Sequence, residues 1–408
     1  MSRFTPKNSL ILFAALAIFA GILFFRHNAA LDISSVSSGL RAQKSFEEHA
    51  TDIIARCKNA KSRPSCYDDE IPKLMDSISM EDAFRVTQIV QAQDPAYQFC
   101  HVLGHRLSAR EVQKNPDDWK NVVSRCPSGT CSNGCIHGGF QERFRKESFS
   151  PEEIDTIKPD LTDLCEARGE WHPTGLEQGS CYHALGHLTM YLTNADIKKS
   201  IALCKEVAVK KDGRDLSRLC FDGAFMQIFQ PLEPEDFALI EGKVPDASGV
   251  SAFCGQFSGT QKGACLTESW PLFREEVMQP LGLVRFCARQ DAEERDRCFI
   301  SLAYILTVQF QFDTAKLKMF CGGLPEERQG ICFSNVASRF IETDYRNISR
   351  AVTFCAGATY IPAKEQCFNE LTIYSTYNFH PQSEEFLALC TALPVPWKTA
   401  CLGKKSLQ

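Results

Sequence analysis

Five cysteine pairs recur at a nearly fixed spacing in the C-terminal part of this 408-residue chain. That regularity restricts the fold more than any other feature. The segments are FCGQFSGTQKGAC, FCARQDAEERDRC, FCGGLPEERQGIC, FCAGATYIPAKEQC and LCTALPVPWKTAC. Their first cysteines are Cys254, Cys287, Cys321, Cys355 and Cys390, and their second are Cys265, Cys298, Cys332, Cys367 and Cys401. Each pair follows the last by 33 to 35 residues, the repeat length of stacked helical hairpins. Apolar-periodic runs such as Asp313 to Phe320 precede the first cysteines, and others such as Phe299 to Phe310 follow the second. Gly, Pro and charged residues between the cysteines read as a turn. Each unit is therefore expected to run helix, Cys, short loop, Cys, helix. A disulfide would clamp the hairpin where its helices meet, worth about 2–3 kcal/mol by chain entropy. The expected fold is all-α: disulfide-clamped αα-hairpin repeats stacked as a solenoid or curved bundle.

The same unit is expected upstream with longer insertions, pairing Cys165 with Cys181 and Cys204 with Cys220. Cys57 with Cys66 makes a first clamp. Cys100, Cys126, Cys131 and Cys135 remain, and four cysteines allow three connectivities. By analogy with the short loops, Cys126–Cys135 and Cys100–Cys131 are preferred. The spacing of Cys126, Cys131 and Cys135 also invites a zinc-thiolate reading. No CxxC pair anchors a zinc ribbon, and no CxxCH attaches a c-type haem.

In period and cysteine placement, over about residues 50 to 401, the chain resembles the tetratricopeptide and Sel1-like helical repeats. It looks most like the cysteine-rich secreted members of the Sel1-like class, in which each hairpin carries a disulfide. The alanine, leucine and glycine consensus of that class is not evident, so the resemblance is one of architecture. It implies an extended concave face of the kind that binds peptides or proteins.

The N-terminus suggests a compartment. Arg3 and Lys7 precede an apolar run from Leu10 to Phe25, closed by Arg26. The run is short for a span and long for a signal-peptide core, and an uncleaved signal anchor is preferred. Basic residues before the run place the N-terminus inside. The expected order is a cytoplasmic segment 1–9, a transmembrane helix 10–26 and a linker 27–49. A His- and Cys-rich repeat region 50–240 and a regular Cys-paired region 241–408 follow. The bulk of the chain would be periplasmic or extracellular, where disulfides persist. Asn347-Ile-Ser349 has the form of a glycosylation acceptor, with meaning only in a eukaryotic secretory pathway. A net charge of -5 gives no basic surface for nucleic acid.

Five of the nine histidines fall in three short motifs: CHVLGH (Cys100 to His105), CIHGGFQERF (Cys135 to Phe144) and CYHALGH (Cys181 to His187). His101 and His105 are four residues apart, as are His183 and His187, so each pair shares one helix face. Two such pairs and His137 on neighbouring hairpins could converge on zinc, copper or iron, all suited to imidazole. Glu142 and Asp222 are candidate carboxylate ligands or orienting acceptors. His137 and His183 stand two residues after their leading cysteine. Later repeats hold Asp222, Thr267, Ile300, Ser334 and Asn369 there, so the hairpin itself does not demand histidine. Gly104, Gly138, Gly139, Gly186 and Gly223 in the same stretches suit close approach of a backbone or a ligand.

Three functions follow from these residues. The first is a metal-dependent enzyme or metal carrier, with His101, His105, His183 and His187 as principal ligands and His137 as a fifth. The second is an interaction solenoid for an extracytoplasmic protein partner, without catalysis. The third, less favoured, is noncovalent haem binding between facing histidines. HExxH, GxSxG and a P-loop are absent, and every cysteine has a plausible partner.

Overall fold

The computed structural model describes residues 44–127, 130–144, 149–169, 171–232 and 234–404. The expected membrane helix at 10–26 lies outside the described residues, with its flanks 1–9 and 27–43. Among the described residues, no helix is long and apolar enough to cross a membrane. Contacts divide the chain into residues 1–49 and residues 50–408, and the second unit carries the fold.

The described residues are helical throughout, without strands; only three isolated bridges occur. Ten disulfides join the cysteines: Cys57–Cys66, Cys100–Cys131, Cys126–Cys135, Cys165–Cys181, Cys204–Cys220, Cys254–Cys265, Cys287–Cys298, Cys321–Cys332, Cys355–Cys367 and Cys390–Cys401. Eight helices form the inner frame: α1 (His101–Lys114), α2 (Gly134–Phe144), α3 (Gly175–Leu192), α4 (Ser217–Phe229), α5 (Gly259–Glu268), α6 (Ala292–Gln309), α7 (Glu326–Thr343) and α8 (Ile361–Asn378). Six disulfides tie a shorter helix, or the turn that follows it, to one of α3 to α8.

The intercysteine segments are not simple turns. Cys265, Cys298, Cys332 and Cys367 each stand six residues beyond the start of their helix, at Gly259, Ala292, Glu326 and Ile361. The charged and proline-bearing residues that read as loop form the first helical turn. Glu293-Glu294 and Glu326-Glu327 suit a helix N-terminus through the macrodipole. Pro362 sits in the first turn of α8, where no backbone donor is needed. Side-chain caps set other starts: Thr174 and Glu177 form a capping box on α3.

Each frame helix packs on the next, from α1 through to α8. The row then closes, because α8 packs on α3 and α7 meets the turn Cys131–Asn133. An open solenoid contacts only sequence neighbours, so the contact of α8 with α3 departs from that alternative. Polar bonds tie the same closure. Arg346 donates to the Gln88 carbonyl at 2.9 Å, and Arg350 to Gln98 Oε1 at 3.3 Å. A continuous apolar core, including Phe286, Leu302, Phe340 and Phe354, fills the C-terminal hairpins. The polar side chains discussed next lie on the frame helices.

Candidate metal centre

Two glycine-lined helix crossings assemble the histidines. Where α1 crosses α2, a β-carbon at Gly138 would overlap the His105 backbone, and one at Gly134 the His101 carbonyl. At Gly104 it would stand 2.9 Å from the Cys135 nitrogen. Between α3 and α4, Gly186 faces the Cys220 carbonyl and Gly223 faces that of His183. These glycines serve backbone approach, the packing alternative of the two that the sequence allowed. The crossing of α1 and α2 lays His137 beside His101 and His105.

Five imidazoles form one contiguous group. Ring centroids are 4.7 Å apart for His101–His105, 5.0 Å for His101–His137 and 5.3 Å for His105–His137. His137 also contacts His183 at 5.5 Å and His187 at 5.8 Å, and those two lie 5.1 Å apart. The Nε2 atoms of His101 and His105 are 3.1 Å apart, and those of His183 and His187 are 3.3 Å apart. Ligand nitrogens of His101, His105 and His137 all lie within 4.8 Å of one another. That trio fits a metal ion, and the direct ring contacts mean a porphyrin would require the imidazoles to part.

Burial lowers four of the imidazoles, His101, His137, His183 and His187, and so favours their neutral form. It holds the His101 imidazole down at about 4, and the nearby Arg339 guanidinium lowers it further. The Cys131 and Ser132 carbonyls pull the other way, although His101 Nδ1 makes no hydrogen bond of normal geometry. Burial likewise pushes His137 and His183 well below the usual imidazole range, and neighbouring histidines reinforce it. His187 is lowered by burial and partly restored by Gln227. Its Nδ1 donates to Gln227 Oε1 at 2.6 Å, which leaves the Nε2 lone pair facing His183. Neutral imidazoles with exposed lone pairs are the form that binds metals.

The two carboxylates expected beside the histidines stand outside the converging trio. Asp222 on α4 accepts from Arg218 Nε at 2.9 Å, and Arg218 also pairs with Glu294. Glu268 is buried nearby, with its carboxyl pushed up by burial and then by Asp222, and it accepts from Gln230 at 2.6 Å. Asp222 thus belongs to a buried carboxylate–arginine group. Glu142 is buried on α2. His172 and His380 are exposed, and His27 lies outside the described residues.

Two neighbours were not foreseen from spacing. Gln227 orients His187 from α4. Phe99 stacks on His101 at 5.7 Å and carries the Arg339 guanidinium on its ring at 5.3 Å. Gln227 and Arg339 come from other hairpins, and Phe99 stands two residues before His101, just outside the histidine motif. No protein-family model, curated protein or solved structure matches the chain.

Proposed function

We propose that this chain is a membrane-anchored, extracytoplasmic protein built around a transition-metal centre, with His101, His105 and His137 as its principal ligands. The observation that carries the reading is the convergence of three imidazoles with ligand atoms within 4.8 Å of one another. On an ion bound at 2.0–2.1 Å, the 3.1 Å separation of His101 and His105 Nε2 subtends about 95–100°, close to a tetrahedral angle. Three protein imidazoles leave a position for water or substrate, the ligand count of catalytic rather than closed structural zinc sites. The chemistry so supplied is activation of bound water or polarisation of a small substrate. Every cysteine is in a disulfide, so no thiolate competes. Imidazole-only donors suit zinc, copper or iron. The disulfides also support an oxidising compartment, and the apolar run from Leu10 to Phe25 supports the anchor.

The test is elemental analysis of the full chain, purified in detergent without a histidine tag and with disulfides intact. At least one equivalent of a transition metal is expected, lost in His105→Ala and His137→Ala. Folded, metal-free protein that also refuses added metal would remove this reading.

A further inference from the structure

We propose that the five-histidine group holds two metal ions, the second on His183 and His187, making the centre binuclear. This rests on the first site being a metal site. Two nitrogens on one ion at 2.0–2.1 Å can be no more than about 4.2 Å apart. Among the described residues, His101, His105 and His137 are the group that comes nearest to that limit, with ligand atoms within 4.8 Å of one another, and His183 and His187 stand outside it. One ion therefore cannot take all five imidazoles in this arrangement.

The second pair is nonetheless set as a chelate. Its Nε2 atoms lie 3.3 Å apart, which subtends about 105–110° at an ion. The spacing repeats that of His101 and His105. His187 also has the second partner that metal-binding histidines commonly show, its Nδ1 bonded to Gln227. In the neutral pair His183 Nε2 donates to His187 Nε2; moving that proton to the His183 Nδ1 would leave both Nε2 lone pairs for one ion. His137 touches both pairs, so the ions are neighbours across its ring. The second ion has two protein imidazoles against three for the first. It binds more weakly, fills second, and keeps more positions for exogenous ligands. Its ligand class is a small oxygen or nitrogen donor that could bridge neighbouring ions.

The experiment is titration of the metal-stripped full chain in detergent with Cu(II), read by bound-metal stoichiometry and electron paramagnetic resonance. With no free cysteine, thiols cannot reduce the probe. Two equivalents are expected, the first tighter. At one equivalent the spectrum is that of an isolated ion; at two, coupling attenuates and broadens it. His183→Gln/His187→Gln should keep the first equivalent and lose the second together with the coupling. Gln227→Leu should weaken the second equivalent about 10–100-fold and spare the first. One equivalent in the native chain that survives His183→Gln/His187→Gln overturns the second ion and leaves the first site standing. One equivalent abolished by changing either pair means a single shared ion, and also overturns it. Two equivalents without coupling in the native chain place the second ion elsewhere and overturn it without recourse to a variant. No binding at all defeats both readings.

Discussion

The metal-free protein should lose stability on mild acidification, and His101 gives the effect a size. Its imidazole is held at about 4 against an ordinary 6.5. Because the folded value is the lower one, the unfolded chain takes up the proton first. The associated stability is complete above about pH 6.5 and is lost as pH falls towards 4. Each unit is worth about 1.4 kcal/mol, so the full loss attributable to His101 is about 3 kcal/mol. At about pH 4.5 most of it, about 2–3 kcal/mol, has gone. His137, His183 and His187 are lowered too and act in the same direction. Glu268, Asp222 and Glu342, whose carboxyls burial pushes up, act in the opposite direction. Comparison with His101→Gln cancels these shared contributions. Urea unfolding in chelator, disulfides intact, should be measured for both proteins between about pH 7.5 and 4.5. The native protein should lose about 2–3 kcal/mol more than the variant. Parallel losses would refute a buried, neutral His101.

Four further substitutions separate scaffold from site. Gly138→Ala should cost about 1–3 kcal/mol by forcing α1 and α2 apart and should weaken metal binding at the trio. Gly322→Ala, where nothing lies within 4 Å of the added carbon, should change neither; paired urea and metal titrations decide this. Arg218→Met removes the cation between Asp222 and Glu294 and should cost about 3–5 kcal/mol. Part of that loss should return at lower pH as the stranded carboxylates protonate, read in the same unfolding series. Asp222→Asn should leave the metal content of the histidine site unchanged, because Asp222 is engaged by Arg218; loss of metal on elemental analysis would restore it as a ligand.

The all-helical class was legible because cysteine pairing is local: a short disulfide can only join elements that meet. Helix starts were less legible. Glu326-Glu327 and Pro362 carry the composition of a turn, yet acidic residues and proline are also what a first helical turn accommodates. The closure of α8 on α3 left no trace in the spacing, since it joins segments far apart in sequence. At the site, the i,i+4 spacing correctly put His101 with His105, and His183 with His187, on single helix faces. How near the two pairs approach depends on helix crossings, for which the glycines were the sequence signal, readable equally as ligand clearance. Gln227 and Arg339 arrive from other hairpins, and no motif linked them to a histidine.

The histidine position of α2 and α3 explains why the site could arise on this scaffold. Two residues after the helix cysteine, the chain holds His137 and His183, then Asp222 and Thr267. His137 and Thr267 are buried, His183 is nearly so, and Asp222 is drawn into the buried arginine group. On α2 to α5 this position is wholly or partly buried and holds an imidazole, a carboxylate or a hydroxyl, whereas Ile300 on α6 and Asn369 on α8 are exposed there. Placing ionisable groups there costs desolvation, as the lowered imidazoles and raised carboxyls record. Ten covalent clamps restrict the unfolded chain and help offset that cost. The clamped hairpin therefore acts as frame, and the chemistry is set by which side chain occupies a repeated position. On α2 and α3 that position carries the two imidazoles through which the trio and the second pair meet.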